Sequence, residues 1–146
     1  MARIAIVYHS GTGNTEKMAL LIAEGATRPG IEVETYQAGS VDVDEVAQAD
    51  GFALGSPDYY SYMAGELKTF FDRALKHKDK LSGKPYVSFG SHGGGARVLE
   101  SIDKLSASLG LKEACPGVMS LGAPARGDED DCRKVGQALA EAVASQ

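Results

Sequence analysis

Short apolar runs alternate along the chain with segments of helical period. The runs at 3–8, 32–36, 51–54, 85–89 and 117–121 predict five strands. Several are continuously apolar, as expected of parallel strands covered on both faces. Between them, Met18, Leu21 and Ile22 mark a first helix, and 43–47 is short enough for a single turn or two. Leu67, Phe70, Phe71, Ala74 and Leu75 repeat at i, i+3, i+4, i+7 and i+8. Val98, Ile102, Leu105 and Leu109 form another stripe, and Val135, Leu139 and Val143 a last one. Strands and helices in strict alternation predict a doubly wound α/β sheet with right-handed crossovers. No repeat, linker or low-complexity stretch interrupts the pattern, so residues 1–146 are expected to form one domain.

In such sheets ligands bind beyond the carboxyl ends of the strands, where strand order reverses. The loops to read are therefore 9–15, 55–64, 90–96 and 122–128. The first holds six consecutive small or polar residues, Ser10, Gly11, Thr12, Gly13, Asn14 and Thr15, between a strand and a helix. One helix cap needs one such residue. Six in a row, opening a helix, predict an anion site built of backbone amides and hydroxyls. A Walker loop would need a lysine that is missing here. A dinucleotide fingerprint would need a third glycine where Glu16 stands. A cradle without cations suits a monophosphate.

The second loop offers Ser56, Pro57, Asp58, Tyr59, Tyr60 and Tyr62. The chain has no Trp, so an aromatic covering a planar ligand must be a tyrosine; Tyr60 is the first choice and Tyr59 the second. Phe70 and Phe71 lie at helix spacing and are expected in the core. The third loop offers Ser91 and His92, then Gly93, Gly94 and Gly95, which allow backbone to approach a flat ligand closely. His92 either donates to that ligand or is simply a solvent-facing loop residue. His9 is expected to be structural or near the phosphate, and His77 to sit at a helix end with no chemical role. The acidic run at 128–131 is expected to cap the final helix.

Charge narrows the partners. Twenty acids against fifteen bases leave a net charge of −5, which argues against nucleic acid. No apolar run approaches the length of a membrane span, and the N-terminus has no secretory signal pattern. Cys115 and Cys132 lack metal-ligand spacing and are expected as reduced thiols in a cytoplasmic protein. No nucleophile–base–acid set and no metal-binding cluster stands out.

The Ser10-x-Thr12-Gly13-x-Thr15 motif resembles the FMN-phosphate loop of the flavodoxin family. The segment "GSPDYYSYMAGELKTFFDR" and the loop "FGSHGGGARVLESI" resemble flavodoxin-like relatives of the tryptophan-repressor-binding-protein type of NAD(P)H:quinone oxidoreductase. The resemblance covers essentially the whole chain. It implies a flavodoxin-like three-layer sandwich with five parallel strands ordered 2-1-3-4-5, and FMN as cofactor. The cofactor-binding residues it implies are Ser10–Gly11–Thr12–Gly13–Asn14–Thr15, Ser56, Pro57, Asp58, Tyr59, Tyr60, Ser91, His92, Gly93 and Gly94. Two activities follow: electron transfer to a redox partner protein, or NAD(P)H-dependent reduction of a quinone or other small acceptor. A homodimer is left open. Carrier flavodoxins are more acidic around the flavin edge, where this chain offers Asp58 alone.

Overall fold

A computed structural model describes all residues, 1–146. Its core is a wholly parallel sheet of β1 (Ala2–Tyr8), β2 (Ile31–Gln37), β3 (Gly51–Pro57), β4 (Pro85–His92), β5 (Lys112–Glu113) and β6 (Val118–Leu121). The order is β2-β1-β3-β4-β5, with β6 also paired to β4. β5 and β6 are thus two pieces of one edge position. Lys112 and Glu113 pair with Pro85 and Tyr86, while Val118–Leu121 pair with 89–92. The expected fifth strand at 117–121 is only the second piece. The first is polar and exposed, so it carries no apolar signature.

Alternate side chains of β1 enter opposite layers, as strand geometry requires. Ile4, Ile6 and Tyr8 pack under α1 (Asn14–Ala26) and α6 (Arg126–Ala144) with Met18, Ile22, Val135 and Leu139. Ala5 and Val7 face the other layer, built from α2 (Val43–Val46), α3 (Gly65–Ala74), α4 (Lys78–Leu81) and α5 (Val98–Ser108). The α1–α6 contact is backbone on backbone. A methyl group on Gly25 would overlap the Arg133 carbonyl, and one on Gly136 the Ile22 carbonyl.

α3 ends one residue earlier than its apolar stripe. Leu75 opens a 3-10 turn, Leu75–His77, and is 59% exposed rather than core. Phe70 and Phe71 are buried as expected. The His77 imidazole lies 2.7 Å from Asp44 Oδ1, joining that turn to α2.

Two strands run past their apolar segments, and this positions the site. β3 continues through Ser56 and Pro57, and β4 through Gly90, Ser91 and His92. These residues are small or polar yet mostly buried, because the layers close tightly there. A methyl group on Gly55 would overlap the Phe89 ring, and one on Gly90 would stand 2.5 Å from Val98. Ser56 Oγ meets the cost of burial by accepting from the Ala64 N–H and donating to the Pro57 carbonyl, each at 2.8 Å.

Candidate flavin site

The first, second, third and fourth loops emerge together at the carboxyl edge of the sheet. In the first, Gly13 adopts φ +95°, a left-handed conformation suited to glycine, and turns the chain into α1. Ser10 Oγ accepts from the N–H groups of Gly13 (3.1 Å) and Glu16 (3.3 Å), so this side chain shapes the loop and caps the helix. Its hydroxyl proton remains available to a ligand. The N–H groups of Ser10, Gly11, Thr12, Asn14 and Thr15 make no hydrogen bond within the protein. The Thr12 hydroxyl and the Asn14 amide are likewise unengaged in the loop, whose side-chain bonds come from Ser10 and Thr15.

Thr15 turns the other way. It is 1% exposed, and its hydroxyl lies 2.8 Å from that of Ser91 at the end of β4. The side chain therefore ties the first loop to the third, and its unpaired backbone amide adds a donor to the loop.

The second loop is a tight reverse turn. Tyr59 and Tyr62 exchange backbone hydrogen bonds at 2.9 and 3.1 Å. The two residues between them, Tyr60 and Ser61, have φ +56° and +66°. That is type I′ geometry, normally filled by glycine or asparagine. Holding a tyrosine and a serine there costs on the order of 1–3 kcal/mol each and marks a strained segment at a site. Tyr60 projects fully into solvent from the tip.

Asp58 is the clasp of the site. Its Oδ1 accepts from Ser61 N–H and its Oδ2 from Arg97 N–H, both at 2.8 Å. Its own N–H donates to the Ser91 carbonyl at 2.8 Å. Arg97 is the N-cap residue just before α5, so one carboxylate fixes both the tyrosine turn and the end of the third loop. Sequence reading picked out Asp58 for its charge and missed this role, because its partners are backbone groups.

In the third loop, His92 Nδ1 accepts from Gly94 N–H at 3.1 Å, which leaves the ring proton on Nε2. Gly94, at φ +147°, has its amide occupied by this contact. The amides of Gly93 and Gly95 make no bond within the protein. The fourth loop attaches beside them, through Gly122 N–H to the His92 carbonyl at 2.8 Å. His9 and Glu66 also belong to this neighbourhood. His9 packs edge-on against Tyr59, and its Nδ1 lies 3.5 Å from Glu66 Oε2. Asp128 accepts from Ala125 N–H at 3.1 Å and so caps α6 as expected.

The donor set fits a phosphate monoester: five free amides, a free hydroxyl and a helix N-terminus, with no lysine or arginine among residues 9–15. A strained aromatic turn and a glycine-rich loop stand beside it, as a planar group joined to that phosphate would require. Fold and site together define a flavin-mononucleotide protein of the doubly wound class. The sequence matches the flavodoxin family model over residues 6–136, and the chain belongs to the flavodoxin family, whose members bind FMN and transfer electrons to redox partners. It is 31% identical to a flavodoxin of Aquifex aeolicus, over 99% of this chain and 88% of that one. A solved flavodoxin structure from the domain Archaea superposes with a TM-score of 0.89 at 28% identity, covering 97% and 99% of the two chains. The two-electron reduced flavodoxin of Megasphaera elsdenii does so with 0.81 at 31% identity, covering 95% and 99%. No helix is long and apolar enough to cross a membrane.

Proposed function

We propose that the chain, as one domain in the cytoplasm, is an electron carrier that exchanges electrons with redox partner proteins. It holds FMN by its phosphate at residues 10–15 and by its ring between the tyrosine turn and the third loop. The observation that carries this reading is the neutral donor set of the first loop, five amides without a protein partner at the start of α1. Thr12 and Asn14 add side-chain donors, while Ser10 and Thr15 shape the cradle and brace it.

When bound, FMN supplies the redox chemistry. The protein's part is placement. Asp58 fixes the tyrosine turn against the third loop. Ser56, Pro57 and Ser91, at the ends of β3 and β4, form the rigid floor on which both loops stand. Gly93 and Gly95 bring free amides to the ring's acceptor-rich edge. With both carboxylate oxygens of Asp58 bonded to backbone, this residue acts on the flavin through geometry first.

A second reading, direct reduction of FMN by NAD(P)H followed by oxidation by a small acceptor such as a quinone, draws on the likeness of residues 55–73 to the quinone oxidoreductase group. Anaerobic mixing of the FMN-loaded protein with NADH or NADPH, with and without a quinone, separates the two. The carrier reading expects flavin absorbance to persist with either nucleotide. Rapid bleaching and quinone-dependent turnover would establish the enzyme instead.

A further inference from the structure

Tyr59 belongs to the second loop but lies against the first. A methyl group built on Gly11 would stand 2.6 Å from the Tyr59 hydroxyl oxygen, so the phenol tip touches the backbone of the anion loop. The ring also packs edge-on with His9, with centroids 6.1 Å apart and planes at 67°. Glu66 steadies that imidazole from the first turn of α3. The backbone of Tyr59 is pinned by its paired bonds with Tyr62. The hydroxyls of Tyr8, Tyr36 and Tyr86 each bond a carboxylate. Tyr59 has no such partner, although its hydroxyl sits against Gly11, in the loop that carries the five unengaged amides.

We infer that the Tyr59 hydroxyl donates a hydrogen bond to the FMN phosphate, so that the tyrosine turn closes over the phosphate end of the cofactor. This rests on the FMN reading above. A phenol O–H is a hydrogen-bond donor, and donated to a phosphate oxygen it forms a charge-assisted bond. The cradle has no cation of its own, so one more neutral donor contributes measurably. His9 is the positioning residue: it backs the ring and keeps the hydroxyl directed toward Gly11. A ring reaching Gly11 serves the phosphate end, which leaves Tyr60, at the tip of the same turn, as the aromatic for the flavin ring.

The test uses the full chain stripped of flavin and titrated with FMN and with riboflavin, which lacks the phosphate. Wild type is expected to bind FMN more tightly; equal affinities would overturn the phosphate-loop reading itself and the Tyr59 assignment with it. If wild type discriminates, Tyr59→Phe decides the narrower point. The expected result is about a tenfold loss for FMN with riboflavin unchanged, the low end for a hydrogen bond to a charged group. Equal losses for both flavins would place Tyr59 on the ring, and no loss for either would make it a bystander; both overturn the inference. Gly11→Ala is an independent check, because Gly11 lies outside the left-handed region and its new methyl group would push the hydroxyl aside. It is expected to give the same FMN-selective loss, and to add little in the Tyr59→Phe background. A full additional loss there would mean that the two residues act separately and would contradict the contact.

Discussion

The carboxylate of Asp58 and the backbone N–H of Arg97 meet at 2.8 Å across 39 residues of chain, with the other carboxylate oxygen on Ser61 N–H. This clasp makes the second and third loops one unit. Asp58→Ala removes both bonds and frees a turn that is strained at Tyr60 and Ser61. A loss of about 1.5–3 kcal/mol in stability is expected, in the range for hydrogen bonds to charged groups. Riboflavin and FMN should both bind more weakly, since the ring side is what loosens. Thermal unfolding of the flavin-free variant and titration with both flavins check this.

The two threonines of the first loop should separate cleanly. Thr12→Ala removes a free hydroxyl and is expected to weaken FMN binding by about 1.5–3 kcal/mol with stability unchanged. Thr15→Ala leaves the buried Ser91 hydroxyl without its partner at 2.8 Å, so about 1–3 kcal/mol of stability is expected to go as well. Denaturant unfolding of the flavin-free variants, read beside FMN titrations, distinguishes the roles.

The α1–α6 contact leaves no room for a side chain. Gly136→Ala would drive a methyl group into the Ile22 carbonyl, and Gly25→Ala would do the same at Arg133. Both neighbours are helix backbone and cannot move aside cheaply. Each substitution is expected to destabilise the fold by about 1–3 kcal/mol, despite the better helix propensity of alanine. Denaturation midpoints check this, and an unchanged midpoint would contradict the close packing.

Cys132 is fully buried in α6, and burial, reinforced by Asp128 and Asp131, pushes its thiol up to about 12 from an ordinary value of 9.0. A pKa raised in the folded state gives stability that is whole below the unfolded value and is lost as pH rises toward the folded one. The thiol should therefore contribute a decline in stability between pH 9 and about 12. Buried tyrosines, raised in the same direction, add to it. Cys132→Ala is expected to make the alkaline decline shallower than in wild type. In the native protein at neutral pH, a thiol reagent should label the half-buried Cys115 before Cys132.

Much of this was legible in the sequence, and the misses share a cause. Continuous apolar runs marked β1, β3 and β4, and the glycine-rich loops pointed to the carboxyl edge of the sheet. The runs stopped early at Leu54 and Phe89 because Ser56, Gly90 and Ser91 are buried through hydrogen bonds and close packing, which hydropathy does not report. β5 was invisible because Lys112 and Glu113 are polar residues at a sheet edge. Leu75 matched the helical stripe, but the helix tightens into a 3-10 turn and swings it outward. Within the site, residue types signalled phosphate chemistry at 10–15. They could not reveal that Thr15 faces Ser91, that Asp58 reaches the Arg97 backbone, or that Tyr59 reaches Gly11, since each is a contact between loops far apart in sequence.

The central claim is that this chain recognises FMN through its phosphate, in a cradle of neutral donors. Calorimetric titration of the flavin-free protein with FMN, riboflavin and FAD tests it most directly. FMN is expected to bind at least tenfold more tightly than either of the others, and Thr12→Ala to narrow its advantage over riboflavin. Equal affinity for riboflavin and FMN in the wild-type protein would contradict the account.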